Sequence, residues 1–206
     1  MVGIVDYGVG NLFSLRSSFK AIGVEATVTA DPDVIRASER LILPGVGAFE
    51  DAARKLRESG LDTLLRREVA AGKPLLGICL GMQLLFEKSY EYGEHEGLGL
   101  LSGSILPFSE HIDASYKIPH IGWNKLHLSR PESPLWKYIK EDDYVYFVHS
   151  FFAPLDPAHT AAETEYGTIF TAAVAKDNVF GCQFHPEKSG SVGLNILRGF
   201  CEAEVG

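Results

Sequence analysis

The sequence is short of cysteine, of basic residues and of long apolar runs. Its three cysteines are an odd number without a C-x-x-C pair, so neither a disulfide framework nor a zinc site is indicated. Lysine and arginine total 19 against 27 acidic residues, and the resulting net charge of −8 disfavours nucleic-acid binding. No apolar run approaches the roughly 18 residues of a membrane span, and no signal-peptide pattern opens the chain. We therefore expect a cytoplasmic protein with reduced cysteines that uses no metal, cofactor, nucleic acid or membrane.

The composition that remains is 46% hydrophobic and 22% charged, which fits one domain over residues 1–206. Before about Leu98, apolar strands such as "VGIVDY" and "PLLGICL" alternate with amphipathic helices such as "LFSLRSSFKAI". Helices are also predicted for "PDVIRAS", for residues 48–73 with a break near Ser59-Gly60, and for "GMQLLFEKSYEY". Shorter strands follow, including "DYVYFVHSFFAP" and "VFGCQFHPE", and then a last helix, "SVGLNILRGFCEA". The pattern predicts a doubly wound α/β fold: a mostly parallel central sheet, flanking helices and additional antiparallel strands in the C-terminal half.

The segment "PLLGICLGMQ" places Cys79 midway between Gly77 and Gly81, where a buried strand meets a helix. Glycine weakens both elements, so its presence here needs a reason other than core packing. A G-x-C-x-G sequence in this context is the thiol version of the nucleophile elbow, in which a sharp turn exposes the nucleophile and the backbone N–H of the next residue, Leu80, faces the oxyanion. The helix N-terminus is expected to favour the thiolate. A buried structural thiol is the alternative, and the paired glycines favour the nucleophile.

A thiol nucleophile needs a base, and the base needs an orienting partner. Four histidines lie in polar or surface-like stretches: His95, His111, His127 and His159. His120 and His149 lie on apolar strands, where a hydrogen-bonded core histidine is commoner than a catalytic one. His185 ends a buried strand and is followed two residues later by Glu187, which an extended segment places on the same side. His185 and Glu187 are therefore the best candidates for the base and its partner.

The motifs "PGVG", "GICLGMQ" and "QFHPEKS", in this order and at this spacing, resemble those of the class I glutamine amidotransferases. The match spans nearly the whole chain and implies the fold of that family, whose members use Cys, His and Glu to release ammonia from glutamine for a synthase. Within the family, "DYGVGNL", "PHIGWN" and "FVHS" resemble the glutaminase branch that serves imidazole glycerol phosphate synthase in histidine biosynthesis.

The resemblance assigns roles to single residues. Cys79 attacks the side-chain amide of glutamine, His185 acts first as base and then as acid, and Glu187 orients His185. Backbone N–H groups of Leu80 and of Val46 in the "PGVG" loop form the oxyanion hole. Substrate contacts are expected from Gly45, Gln83, His149, Ser150 and Phe151.

The acceptor chemistry is expected on another polypeptide, because the chain has no P-loop and "GVGNLF" lacks the third glycine of a dinucleotide motif. The resemblance implies a heterodimer with a cyclase subunit, a (β/α)8 barrel that uses the ammonia to make imidazole glycerol phosphate and an aminoimidazole carboxamide ribotide. Docking candidates are Asn11, Trp123, Asn124 and Lys188, although a core tryptophan and a solvated lysine are the simpler alternatives. Glycines in the "PGVG" loop would allow it to rotate when the partner binds.

Three alternatives stay open at this point. The chain could be the glutaminase of pyridoxal phosphate synthase or of another amidotransferase, against which "DYGVGNL" and "PHIGWN" argue. It could be a cysteine hydrolase that cleaves other amides, against which "CLGMQ" and the glutamate after His-Pro argue. It could also be a binding subunit without catalysis, which the intact Cys79, His185 and Glu187 disfavour.

Overall fold

The computed structural model describes residues 1–204. In the first half, strands alternate with helices: β1 Val2–Val5, α1 Leu12–Ala21, β2 Ala26–Thr29, α2 Pro32–Ala37, β3 Arg40–Leu43, α3 Phe49–Glu58, α4 Leu61–Ala70, β4 Leu75–Ile78 and α5 Leu80–Gln83. In the second half, strands dominate: β5 Phe86–Ser89, β6 His95–Glu96, β7 Leu101–Pro107, β8 His120–Lys125, β9 Tyr144–His149, β10 Phe151–Phe152, β11 Thr160–Glu165, β12 Ile169–Lys176, β13 Val179–Cys182 and a final helix, α6 Gly190–Glu202. Among the described residues, no helix is long and apolar enough to cross a membrane.

The central sheet has seven strands in the order β11-β12-β13-β4-β3-β1-β2. The five strands from β13 to β2 are parallel to one another, whereas β12 pairs antiparallel with both β13 and β11. A four-stranded sheet, β10-β7-β5-β6, and the antiparallel pair β8-β9 are built from the second half of the chain. The predicted fold class is therefore confirmed, including the antiparallel strands that follow the parallel core.

Both faces of β1, β4 and β13 are buried, which explains why they read as apolar runs, whereas β2 at the edge of the sheet is half-buried. Because neighbouring residues of a strand point to opposite faces, Ile4 and Val5 belong to two separate core clusters. Ile4 lies in the cluster that also contains Phe19 of α1 and Phe200 of α6. Val5 lies in the cluster covered by α3 and α4, which contribute residues such as Leu56. The helices therefore enclose the sheet and leave its carboxyl edge accessible.

Two expectations about local structure were wrong. The helix predicted for "GMQLLFEKSYEY" ends at Gln83, and residues 86–89 form β5 instead. In β5, Phe86 and Ser89 are buried while Glu87 is exposed. The segment is a strand because it pairs with β6 and β7, although its apolar residues also fit the spacing of a helix. His159, expected at the surface, is 1% exposed. Its ring packs edge-on against Phe86 at 5.3 Å, and its Nε2 is 3.1 Å from the carbonyl oxygen of Ser102.

Candidate active site

A cleft of about 400 Å³ opens at the carboxyl edge of the central sheet. Its walls come from the loop after β3, the turn after β4, the end of β9 and the segment after β13. In parallel sheets this edge is where ligands bind, because the loops that leave neighbouring strands converge there. The fold therefore brings together chain segments that are far apart in sequence: the lining residues run from Val46 to Lys188.

Cys79 lies in the turn between β4 and α5 and has a left-handed backbone, with φ of 54° and ψ of −111°. A residue with a side chain in such a conformation stores on the order of 1–3 kcal/mol of strain, and it persists only where its surroundings hold it. Here the N–H of Cys79 donates to the carbonyl of Cys182 on β13 at 2.8 Å, and the N–H of Gln83 donates to the carbonyl of Cys79 at 3.2 Å. Hydrogen bonds on both sides of the thiol thus fix the turn.

The two glycines of the motif are explained by close backbone packing. A Cβ on Gly81 would lie 1.8 Å from the carbonyl oxygen of Leu43 on β3. A Cβ on Gly77 would lie 2.6 Å from the carbonyl oxygen of Gly81 itself. The strand, the turn and the helix therefore approach one another more closely than any side chain permits, and this approach places the thiol at the edge of the sheet.

The imidazole of His185 and the carboxylate of Glu187 form a buried pair beside the cleft. The His185 Nδ1–H donates to Glu187 Oε1 at 2.8 Å, and the two side chains are only 3% and 2% exposed. Two hydrogen bonds hold the backbone of His185. Its N–H donates to the carbonyl of Tyr146 at 2.9 Å, and the hydroxyl of Ser189 donates to the carbonyl of His185 at 2.7 Å. Because Nδ1 is committed to Glu187, Nε2 is the nitrogen available to Cys79.

Neighbouring charges and burial shift the pKa of His185 in opposite directions. Burial lowers its pKa, but contact with Cys79 and with the Glu187 carboxylate outweighs burial and raises the pKa to about 9. The imidazolium form is therefore favoured at neutral pH. An imidazolium is the form that stabilises a neighbouring thiolate and that can give a proton to a leaving group.

The two predicted oxyanion donors differ in their surroundings. Leu80 is buried as the first residue of α5, where a backbone N–H has no partner within the helix. Val46 is 43% exposed at the cleft, and the following Gly47 has φ of 92° with open space where a Cβ would point. Gly45, predicted to contact the substrate, is buried, and a Cβ there would lie 2.7 Å from the backbone N of Gly81.

Gln83 lines the cleft from the first turn after Cys79. Its Nε2 donates to the carbonyl of Phe151 at 3.1 Å and to Oε1 of Gln183 at 3.0 Å. Both amide hydrogens are therefore used within the protein, and only Oε1 of Gln83 remains to accept from a ligand.

The segment His149–Phe151 forms another wall of the cleft. The His149 Nδ1–H donates to the carbonyl of Phe151 at 2.8 Å, while its Nε2 is 3.1 Å from Nδ1 of His120. Burial lowers the pKa of His149 to about 3, despite the hydrogen bond to Phe151, so the ring is neutral at pH 7. The side chain of His149 thus shapes the wall, and Ser150 lies between the two bonded residues.

Glu91 and Tyr92 are among the cleft residues that were missed from the sequence. Glu91 lies at the cleft and accepts the backbone N–H of Phe49 through Oε2 at 2.6 Å. Partial burial raises its pKa, which the hydrogen bond from Phe49 only partly offsets. Tyr92 is 91% exposed, and its ring is 6.0 Å from that of Phe151. Nothing in "SYEYGEHEG" distinguishes Glu91 from its acidic neighbours, so no sequence signal would have found it.

The four predicted docking residues fall into two groups. Trp123 is 52% exposed and packs on Tyr146 at 5.8 Å, and the Lys188 ammonium is 6.0 Å from the same tyrosine ring. The side chains of Asn11 and Asn124 instead have intramolecular partners. Asn11 caps α1 through the N–H of Ser14, and Asn124 is bonded to His120 and to the carbonyl of Glu165.

One group of potential metal ligands lies outside the residues that line the cleft. Within residues 1–204, the group of potential ligands that lie close enough together is His127, Glu141 and Asp142, and all three are exposed. Lys125 pairs with Asp142 at 3.1 Å, and the N–H of Leu128 donates to Glu141 at 3.0 Å, so existing partners occupy these carboxylates.

Comparison with known proteins gives consistent matches over the whole chain. The model of the family "Glutamine amidotransferase class-I" matches residues 3–203. Imidazole glycerol phosphate synthase subunit HisH of Wolinella succinogenes is 50% identical over 204 residues, which cover 98% of this chain and 99% of that protein. The protein of the same name from Caldanaerobacter subterraneus subsp. tengcongensis is 49% identical over 203 residues and covers 98% of each chain.

Solved structures show the same architecture at lower identity. The structure of PurLQS from Thermotoga maritima matches with a TM-score of 0.77 and 22% identity, covering 97% of this chain and 96% of that one. A structure described as a glutamine amidotransferase matches with a TM-score of 0.75 and 21% identity, covering 98% and 97%. At these identities the likeness concerns the fold.

Proposed function

Because the chain belongs to the class-I glutamine amidotransferase family, we propose that it is the glutaminase subunit of imidazole glycerol phosphate synthase and works as one domain over residues 1–206. In this role it hydrolyses the side-chain amide of glutamine to glutamate and ammonia. The observation that carries the proposal is the position of Cys79 in a strained elbow, in the same cleft as the buried His185–Glu187 pair.

The first half of the reaction forms a thioester. Nε2 of His185 holds the proton of the Cys79 thiol, and the sulfur attacks the amide carbon of glutamine. The negative charge that develops on the amide oxygen faces the backbone N–H of Leu80 and, once the loop is aligned, that of Val46. When the tetrahedral intermediate collapses, the C–N bond breaks and His185 gives its proton to the departing nitrogen, which leaves as ammonia.

The second half hydrolyses the thioester. His185, now neutral, takes a proton from a water molecule, whose oxygen attacks the thioester carbon. The C–S bond then breaks, its electron pair returns to Cys79, and glutamate is released. Glu187 keeps Nδ1 of His185 protonated throughout, so that Nε2 performs both proton transfers.

Charge and hydrogen-bonding groups of the cleft fit the amino-acid end of glutamine. The carboxylate of Glu91 uses one oxygen for Phe49 and leaves the other for the ammonium group of the substrate. Oε1 of Gln83 accepts from the substrate, because the amide hydrogens of Gln83 are already used. Backbone groups of residues 149–151 and of the "PGVG" loop complete the contacts.

The relatives are named as subunits of a synthase, so a partner chain is implied. We take this partner to be the cyclase subunit, a (β/α)8 barrel, and the assembly to be a cytoplasmic heterodimer in which ammonia passes directly to the cyclase. Trp123 and Lys188 are exposed beside the cleft and fit direct contact with the partner. Asn11 and Asn124 would act by shaping the backbone of the docking face, since their side chains have partners of their own.

Glutamate release by the purified chain tests the proposal, alone and with the cyclase subunit plus its nucleotide ligand. Turnover is expected to rise sharply with the partner and to vanish in Cys79→Ala in both settings. High turnover that the cyclase leaves unchanged would keep the glutaminase and remove this partner. No turnover in any mixture would contradict the glutaminase itself.

A further inference from the structure

Gln183 is a fully buried amide beside the nucleophile, and neither the motif nor the reaction described above gives it a role. It connects β13 to His185, and its backbone N–H donates to the carbonyl of Ala172 at 2.8 Å. Its side chain is 0% exposed, and its Nε2 is 3.7 Å from the sulfur of Cys79. A buried amide is costly unless its polar atoms have partners, so its position against the sulfur needs a physical account.

The orientation of this amide follows from the hydrogen bonds that lead to it. The backbone carbonyl of Phe151 can only accept, so the group of Gln83 that faces it at 3.1 Å is the NH₂ group. The same NH₂ group is 3.0 Å from Gln183, whose facing atom must therefore be the oxygen. Rotating either amide by 180° would set two NH₂ groups or two oxygens against each other. Consequently the NH₂ group of Gln183 is the end that faces Cys79.

The sulfur of Cys79 has a second polar neighbour of opposite character. The carbonyl oxygen of Val148 is 3.9 Å from the sulfur and can accept the proton of a thiol. Once the proton has left, that carbonyl offers no favourable interaction to the thiolate, whereas the N–H of Gln183 becomes a charge-assisted donor. The two neighbours therefore favour different protonation states of the same sulfur.

We propose that Gln183 is a hydrogen-bond donor to the Cys79 thiolate, oriented by Gln83 and Phe151. The role deepens the proposed function, on which it rests for its catalytic meaning. The donor acts twice: it favours the attacking thiolate at the start, and it stabilises the same thiolate when the C–S bond of the thioester breaks and the electron pair returns to sulfur. Gln183 thereby supports the leaving group of the second half-reaction as well as the nucleophile of the first.

Alkylation of Cys79 by iodoacetamide tests this role without relying on glutamine turnover. The rate would be followed against pH by mass spectrometry of the Cys79 peptide in the full-length chain. Gln183→Met keeps an unbranched side chain of similar length and removes the donor. We expect the pH of half-maximal alkylation to rise by about one unit. In the complex, glutamate release is expected to fall by about tenfold or more in kcat with little change in KM.

Two further variants keep the test decisive. Gln183→Leu removes the amide donor without adding a charge beside the sulfur, so it is expected to shift the alkylation profile in the same direction, and it decides the matter if Gln183→Met does not fold. Cys182→Ala, at the buried neighbour whose sulfur faces Gly77 instead, is expected to leave the profile unchanged. Folded Gln183 variants with the wild-type alkylation profile would overturn the proposal. A wild-type chain that fails to hydrolyse glutamine in any mixture would contradict the proposed function and leave this measurement valid.

Discussion

The elbow around Cys79 and the loop after β3 each contain two glycines, and the two regions use them differently. In the elbow, Gly77 and Gly81 are in contact with backbone on the side where a Cβ would stand. In the loop, Gly45 is packed in the same way, but Gly47 faces open space and takes a φ of 92°. The elbow is therefore fixed by close packing, whereas the loop is fixed at one end and free at the other.

Anchoring of the loop at its first residues strengthens this contrast. The hydroxyl of Tyr7 donates to the carbonyl of Pro44 at 2.7 Å, and burial raises the pKa of Tyr7, so it remains a donor across the accessible pH range. The part of the loop that is free to turn thereby begins at the peptide between Gly45 and Val46, which carries the Val46 N–H. Under the proposed function, we expect partner binding to align only the second oxyanion donor and to leave the nucleophile unchanged. Loss of one such donor costs about 2.7–4 kcal/mol in comparable hydrolases.

The largest effect is expected from Gly81→Ala. The added Cβ would lie 1.8 Å from the carbonyl oxygen of Leu43, and neither backbone can move without separating β3 from the elbow. We expect a loss of more than about 3 kcal/mol in the free energy of unfolding, measured by urea denaturation, or no folded protein at all. Gly23→Ala is the control, since it has φ of 75° and open space, and it is expected to cost about 1–2 kcal/mol. Equal losses in the two variants would contradict close packing as the reason for Gly81.

Glu187→Gln is expected to have the next largest effect, which is on kcat/KM and its dependence on pH. The carboxylate helps to raise the pKa of His185 to about 9, so the imidazolium needed to protonate the leaving ammonia is lost only above that pH. With glutamine in its place, burial lowers the pKa of His185, and the alkaline fall of kcat/KM should move to lower pH. The value of kcat/KM itself should drop by about 10²- to 10⁴-fold. A profile of kcat/KM against pH for both enzymes measures this, and an alkaline limb at the same pH in both would count against the assigned role of Glu187.

Gly47→Ala is expected to have the smallest effect of the three substitutions, and it tests the free end of the loop after β3. Alanine is strained at a φ of 92°, but the open surroundings allow the loop to relax, so stability should stay within about 1–2 kcal/mol of wild type. The partner-stimulated rate of glutamate release should fall by about tenfold, because a Cβ at residue 47 restricts the backbone next to Val46 and hinders alignment of the Val46 N–H. Stability and activity would be measured on the same preparation. A destabilisation as large as that of Gly81→Ala would remove the distinction between the two regions.

Much of this contrast could be predicted from the sequence, because the motifs are local. The G-x-C-x-G elbow needs only five consecutive residues, and the pairing of His185 with Glu187 follows from their spacing at a strand end. The parallel core was predictable since β1, β4 and β13 are buried on both faces and read as apolar runs. The strand β5 was missed because "LLFEK" satisfies a helical pattern equally well, and only its pairing with β6 and β7 decides between the two.

The remaining parts of the site depend on contacts between distant segments. Gln183 meets Gln83 across 100 residues of sequence, and Glu91 meets the backbone of Phe49 across 42. Gln83 was predicted as a cleft residue from its motif, but nothing in the sequence shows that its amide meets that of Gln183. Likewise, the sequence shows two glycines in "PGVG" without showing that Gly45 is packed against the elbow and that Gly47 is free.

The most direct test of a ready nucleophile and a movable oxyanion loop compares two reactions of Cys79, each with and without the cyclase subunit. Alkylation by iodoacetamide needs the thiolate but no oxyanion hole, whereas glutamine hydrolysis needs both. The account predicts that the partner raises glutamate release by about 10²- to 10³-fold and changes the alkylation rate by less than about twofold. Alkylation that rises in parallel with glutamate release would show that the partner assembles the nucleophile itself, and the account would be wrong.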